Sequence, residues 1–415
     1  MAGLRFIYGG VIVRRVGAVL HGLARTLARV WLTTSRNSWR RLPRPIDAPI
    51  VHAPGVTPDR VLFIGSGAVV GYGVLLHELS ISGEVARQVS QVTDRGMDAD
   101  IIAAPDLDIA AASVALRDVR IARYDAIVLM LGPIEVMNLY RLTHWRRNLT
   151  QLLEWLAAEG PASLQILVVG VPAFERIVRP PLLGVFAKHC HAINRITESV
   201  VEGRRHVTFV PLEPDAEDFV ARASRHLHVR WASYIVPSLV AALSSDAPVR
   251  AEVVDEGARL AALLRLNLFG STPDDNIQDL VDAACGMLDA SGASFNLIDR
   301  DRHWVKAAAG LSKQPVQMPR SESFCAITIE QSRLFVIEDM TKDPLYRDKP
   351  FVTGPPGLRF YAGYPVEAPH GHRVGSLCII DTKVRTLTKA EATMLRNLAL
   401  RVQAMVWERL GARAG

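Results

Sequence analysis

Leu297-Ile298-Asp299-Arg300-Asp301-Arg302-His303-Trp304 reads as the turn of a hairpin. The apolar run Ala293 to Asp299 leads in, and His303 to Ala308 leads out. Arg300-Asp301-Arg302 supplies the polar link between two strand-like segments. Downstream, Leu334 to Glu338, Gly357 to Val366 and Val374 to Ile380 read as further strands. Upstream, Val254, Ala258, Leu260, Ala261, Leu264 and Leu268 form a helical stripe, and Asp279 to Leu288 a second helix. Thr388 to Leu410 is a long closing helix, with Thr388 and Glu391 spaced as a capping box. Residues 252–412 are thus expected to form an α+β domain around a mainly antiparallel sheet.

Several motifs in this stretch stand in the order found in GAF domains, which it resembles, in particular the bacterial sensor type. They are the hairpin itself, Ser323-Phe324-Cys325-Ala326, Asp339 with Asp343-Pro344, Gly357-Leu358-Arg359-Phe360-Tyr361-Ala362-Gly363, and Gly375-Ser376-Leu377-Cys378-Ile379-Ile380-Asp381. The resemblance implies a sheet cupping a small-molecule pocket, or a surface for dimerisation through the flanking helices. Trp304, Phe324, Phe360 and Tyr361 are the candidate pocket walls, with Cys325 beside them and Arg359 and Asp339 as polar groups. The competing expectation is that the aromatics are core and that Arg359 and Asp339 form a structural pair. Cys325 and Cys378 read as buried small hydrophobes or as a redox pair.

The preceding part alternates strands and helices. Arg60 to Gly65, Tyr124 to Gly132, Leu164 to Gly170 and the weaker His206 to Val210 are short apolar runs of the kind buried in parallel sheets. Helical patterns at Trp145 to Ala158 and Leu182 to Val201 lie between them. This alternation predicts an α/β domain over residues 59–245, a parallel sheet of flavodoxin-like type covered on both faces.

Gly65-Ser66-Gly67-Ala68 opens a block that resembles SGNH/GDSL hydrolases, in which Gly-Asp-Ser carries the nucleophile. Gly132-Pro133-Ile134-Glu135 stands where that family has Gly-x-Asn-Asp, and the segment around His228 and Tyr234 where it has Asp-x-x-His. By this resemblance Gly67 occupies the nucleophile position, Ile134 that of the oxyanion-hole asparagine, and Arg225 that of the aspartate orienting the histidine. Gly96, matched to the second oxyanion-hole block, and His228 are what remain. A histidine without a nucleophile has nothing to deprotonate. The expectation is a catalytically inactive domain in which Ser66 caps the following helix. The alternative is an acyl-ester hydrolase or acyltransferase using the displaced Ser66 with His228 and regulated by the GAF domain.

The chain has 415 residues and a net charge of +6, but residues 1–46 hold nine arginines and no acidic residue, leaving −3 for the rest. The basic character is therefore local, and a nucleic-acid-binding face is not expected. Apolar residues from Phe6 to Trp31 recur at near-helical spacing among those arginines. Such a helix either lies in a membrane interface or packs on the next domain. Pro43, Pro45, Pro49, Pro54 and Pro58 mark residues 47–58 as a linker. Four dispersed cysteines without a CxxC predict no metal site and a reducing compartment. His189-Cys190-His191 does not share one helix face and is not a ligand set. No cofactor is expected beyond an unidentified small ligand. No cyclase, kinase or phosphodiesterase motif is read after residue 390, so output is expected through the N-terminal half, a homodimer or a signalling partner. The expected location is cytoplasmic, or peripheral at the inner membrane face.

Overall fold

The structure, a computed structural model, describes residues 26, 41–172, 183–212, 225–244, 255–269, 274–313 and 317–414. Two compact units part between Pro248 and Val249. The arginine-rich segment lies outside the described residues up to residue 40, apart from Thr26. Among the described residues no helix is long and apolar enough to cross a membrane.

The first unit is built on six strands: β1 (Ile50–Ala53), β2 (Asp59–Gly65), β3 (Met97–Ala103), β4 (Ala126–Met130), β5 (Gln165–Val169) and β6 (Val207–Val210). Their order is β1-β3-β2-β4-β5-β6. The β3-β2-β4-β5-β6 part is parallel, and β1 alone runs antiparallel, against β3. The helices are α1 (Ile81–Thr93), α2 (Ile109–Ala115), α3 (Pro133–Met137), α4 (Leu142–Glu159), α5 (Leu183–Val201) and α6 (Arg225–Leu243). Strand alternation sends Leu62, Ile64, Ile127, Leu129, Ile166 and Val168 to one face, against α4 and α5. Val61, Phe63, Val128, Leu167 and Val169 face the other way, against Val85 of α1 and Trp231 and Ile235 of α6. A sheet buried on both faces needs continuous apolar strands, which is what the sequence of β2, β4 and β5 supplies.

Two strands of this unit were not expected. β1 lies inside the proline-rich stretch assigned to a linker; its four residues carry no proline, and Pro49 and Pro54 bound it on either side. Prolines are tolerated at the ends of an edge strand, where no ladder bond is lost. β3 reads Met97-Asp98-Ala99-Asp100-Ile101, too acidic for a buried strand until its partners are seen. His52 Nδ1 meets Asp98 at 2.7 Å, and Tyr124 donates to Asp100 at 2.6 Å.

The second unit holds β7 (Gly292–Ile298), β8 (Arg302–Gly310), β9 (Gln317–Pro319), β10 (Phe335–Ile337), β11 (Phe360–Glu367) and β12 (Arg373–Asp381). The order is β10-β11-β12-β7-β8-β9, antiparallel throughout. Its helices are α7 (Glu256–Leu266), α8 (Asp275–Met287), α9 (Phe324–Thr328), α10 (Pro350–Thr353) and α11 (Lys389–Ala414). Phe295, Leu297, Phe360, Ala362, Tyr364 and Leu377 face α7, α8 and α11 through Leu263, Val281, Leu395 and Val402. Ile298, Tyr361 and Cys378 face the other way, under Phe324 of α9 and the loop residues Met340 and Tyr346. The Thr388–Glu391 capping box is formed: Glu391 N donates to Thr388 Oγ1 at 3.2 Å and Thr388 N to Glu391 Oε2 at 2.8 Å.

Candidate functional site

In the first unit, a narrow cleft opens at the carboxyl ends of the parallel strands, where open α/β sheets place their ligands. Ser66 and Gly67 line it after β2, Pro105 after β3, Leu131 and Ile134 after β4, Pro172 after β5 and Leu212 after β6, with Trp231 from α6. Among the described residues no charged side chain lines it, and its enclosed volume is about 50 Å³. At about 10–15 Å³ per water, that is room for a handful of waters or a slender apolar group.

The turn out of β2 explains its own sequence. Gly65 has φ +152°, and a Cβ there would stand 2.0 Å from the Met130 carbonyl oxygen, so β2 and β4 close up only over glycine. Gly67 follows at φ +72°, and Gly132 at φ +112° has Val171 where its Cβ would be, at 2.4 Å. Gly67 and Ile134 thus sit in the cleft where the SGNH resemblance puts a nucleophile and an oxyanion donor, and neither side chain can fill that role.

Ser66 is 1% exposed and lines the cleft, and its Oγ has no hydrogen-bond partner. It holds the N-cap position of the short helical turn Gly67–Val70 but makes no side-chain cap bond, which corrects the expectation that it caps.

His228 is buried on α6, and its Nε2 donates to the Tyr72 carbonyl at 3.0 Å. Nδ1, the remaining acceptor, is buried without a partner. Burial pushes the His228 pKa down, against the hydrogen bond to Tyr72 and the charge of Glu84. The nitrogen that would take a proton from a serine is already committed as a donor to the backbone. Arg225 begins α6, but its side chain lies outside the described residues.

Gly96 does not belong to this site. β3 is parallel to β2 with Met97 opposite Asp59, and the Gly96 carbonyl accepts from Asp59 N at 2.9 Å. Gly96 therefore sits at the amino end of the sheet, about 20 Å from the cleft at ~3.3 Å per residue. The β3 loop that reaches the cleft is instead Ala104-Pro105, with Ala104 N donating to Gly65 O at 3.3 Å.

Glu135, quoted in the Gly132–Glu135 motif but given no role there, is a buried acid next in sequence to the cleft residue Ile134. It is 1% exposed on α3, accepts from Ile109 N at 2.7 Å through Oε1, and leaves Oε2 without a partner. Burial outweighs the backbone hydrogen bonds and raises its pKa to about 7.

In the second unit the candidate pocket residues separate. Adjacent strand residues point to opposite faces. Phe360 therefore joins the helix-side core, with the Arg385 guanidinium 5.3 Å over its ring. Trp304 also packs on that side, against Phe269 at 5.5 Å. These two are not walls of the loop-covered face. Phe324, Cys325 and Tyr361 do come together there, with Phe324 stacked among Tyr346, Phe351 and Tyr361 at centroid distances of 5.0, 4.9 and 5.1 Å. Arg359 and Asp339 are not paired with each other. Arg359 donates to the Val352 and Leu358 carbonyls, both at 2.9 Å. Asp339 accepts from Thr341 N at 3.0 Å and pairs with Lys342 at 3.2 Å. Both hold loops.

What the sequence reading missed is the polar floor beneath Phe324. Ser294 and Asn296 of β7, and Cys378 of β12, point to this face. Asn296 is fully buried with Oδ1 unpartnered, and both ring nitrogens of His303 are buried without partners. The signal was available: polar residues two apart within otherwise apolar strands. Among the described residues no cluster of three or more His, Cys, Asp or Glu is arranged to hold a metal.

Residues 270–405 match the family described as GAF domain. A cyclic di-GMP phosphodiesterase of Pseudomonas aeruginosa is 36% identical over 153 residues, 37% of this chain. The chain spans about a quarter of the length of that curated relative, 26%. Among solved structures, the GAF domain of an Acinetobacter phosphoenolpyruvate-protein phosphotransferase is 17% identical, covering 36% of this chain and 92% of that one, with a TM-score of 0.28. A lipase from a goat rumen metagenome is 13% identical, covering 43% of this chain and 97% of that one, with a TM-score of 0.36. With the family match and the antiparallel sheet flanked by α7, α8 and α11, the C-terminal unit of this chain is a GAF domain.

Proposed function

We propose that this is a regulatory protein in which the GAF domain senses a small molecule and the SGNH-like domain acts as a binding module that does not hydrolyse. A GAF domain supports a role in signalling; the ligand and the inactivity of the partner domain are our reading. The observation that carries it is His228, whose Nε2 donates to the Tyr72 carbonyl while Ser66 Oγ has no partner. A serine hydrolase needs those two groups joined. The apolar cleft supports retention of binding without chemistry. The buried, unpartnered Asn296 and His303 support a polar ligand under α9. We also read the protein as cytoplasmic. The phosphodiesterase activity named for the P. aeruginosa relative is not carried over to a chain that spans a quarter of it.

The test is fluorophosphonate labelling of the purified protein, mapped by peptide mass spectrometry beside an active esterase. No adduct at Ser66 is the expected result. An adduct at Ser66 that disappears in His228→Ala would overturn it in favour of an acyl-ester hydrolase. Sensing is tested by melting shifts across a panel of nucleotides and polar metabolites, since a ligand that binds only the folded state raises Tm. The shift is expected to be lost in Asn296→Ala.

A further inference from the structure

Cys325 and Cys378 stand apart from the other two cysteines. Their sulfurs are 3.6 Å apart, both buried. Cys190 donates to the Val171 carbonyl at 3.3 Å and Cys285 to the Ala290 carbonyl at 3.2 Å, as protonated thiols do. Around Cys325 and Cys378 the setting differs, because an amide donor faces both sulfurs and two hydroxyls lie beside them. Asn296 Nδ2 lies 3.3 Å from the Cys325 sulfur and 3.4 Å from that of Cys378. The Tyr361 hydroxyl lies 3.5 Å from Cys325, and Ser294 Oγ lies 3.3 Å from Cys378. Hydrogen-bond donors aimed at sulfur stabilise thiolate over thiol.

We propose that Cys325 and Cys378 form a redox centre that closes reversibly to a disulfide when a hydroperoxide reaches it. The proposal shares Asn296 and His303 with the ligand reading above but needs no ligand. The titration of the pair agrees with it. Burial would raise Cys325, but the hydrogen bond from Cys378 and the nearby His303 outweigh it and bring it down. Cys378 is pushed up by that same hydrogen bond and by burial. The two thiols titrate as a pair, with Cys325 the one favoured to lose its proton.

The chemistry balances. The Cys325 thiolate attacks one peroxide oxygen; the O–O bond breaks, a sulfenic acid forms, and hydroxide leaves and takes a proton from solvent to become water. The Cys378 sulfur then attacks the Cys325 sulfur. The S–S bond forms, the S–O bond breaks, and the hydroxyl leaves with the Cys378 proton as a second water. Two electrons pass from the thiols to the peroxide, and an external dithiol returns them. A disulfide is about 2.05 Å long, so the sulfurs must approach by about 1.5 Å. Cys378 is fixed in the ladder between Ser294 and Gly363. Cys325 sits in α9, a five-residue helix, so α9 is the element that moves.

The experiment exposes the reduced full chain to graded hydrogen peroxide, unfolds it in N-ethylmaleimide, and maps peptides by mass spectrometry. The expected product joins the Cys325 and Cys378 peptides, two hydrogens lighter, and reverts with dithiothreitol. Cys190 and Cys285 remain alkylated. In Cys378→Ser, dimedone is expected to trap a sulfenic acid at Cys325. If that variant does not fold, the joined wild-type peptide still decides. Recovery of Cys325 and Cys378 as alkylated thiols, at peroxide levels that oxidise Cys285, overturns the proposal. A disulfide without any ligand-dependent melting shift would leave this centre standing and remove the small-ligand reading.

Discussion

Glu135 carries a charge that folding resists. Its folded pKa of about 7 lies above its ordinary 4.5, because burial penalises the carboxylate. The folded state therefore binds more protons than the unfolded chain between those values, and stability falls as pH rises through that window. Glu135→Gln keeps an acceptor for Ile109 N and removes the charge. Relative to wild type it is expected to gain stability from pH 4.5 to about 7, by up to roughly 3 kcal/mol at ~1.4 kcal/mol per unit. Urea melts of both proteins at pH 5 and pH 8 check this; a pH-independent difference would sink it. Gly67 makes a second case. Gly67→Ser restores a hydroxyl at the nucleophile position, but at φ +72° and with Pro133 Cγ 3.2 Å from the new Cβ. His228 would still be donating to Tyr72, and Ile134 would still offer no oxyanion donor. No p-nitrophenyl acetate hydrolysis above wild type is expected, and a loss of about 1 kcal/mol or more in stability.

At the scale of the element, the closing helix is nucleated by one side chain exchange. Thr388 Oγ1 accepts from Glu391 N, and Glu391 Oε2 accepts from Thr388 N. Thr388→Ala is expected to cost about 1 kcal/mol and to lower the Tm of the C-terminal unit by about 2–4 °C. A shift below the error of a calorimetric scan would mean that tertiary packing alone holds α11. Elements such as this were legible because cap spacing and apolar period are local signals. β2, β4 and β5 were legible because a doubly buried strand is a continuous apolar run. β3 was not, because Asp98 and Asp100 interrupt its apolar run and their partners His52 and Tyr124 arrive from distant positions. β1 was hidden among prolines that flank it without entering it. The candidate site failed in the same way. Gly96 matched a motif position, but only the parallel register of β2 and β3 shows that it lies at the wrong end. Phe360 and Tyr361 were grouped because they are neighbours in sequence, yet strand period separates them. The cysteine pair was in view as two apolar-context residues; that Asn296 bridges both sulfurs is a fact of β7 lying beside β12, which no local pattern records.

At the scale of the molecule, each unit has its own cores. The residues packed around Phe295 and Leu395, and those around Phe324 and Tyr361, all come from the C-terminal unit. A fragment of residues 252–415 is therefore expected to fold by itself and to melt in one cooperative transition followed by circular dichroism. A featureless melt would show that this unit borrows stability from the rest of the chain.

The two sheets share one further property. The outermost strands β9 and β10 have three residues each, and β1 and β6 have four. A strand edge that short exposes only a few unpaired amides, too few to template the addition of a foreign strand. Among the described residues neither sheet offers a long adhesive rim, so strand-to-strand stacking into fibrils is disfavoured there. A self-association of this chain would then fall to side-chain faces such as those of its helices, which can part again.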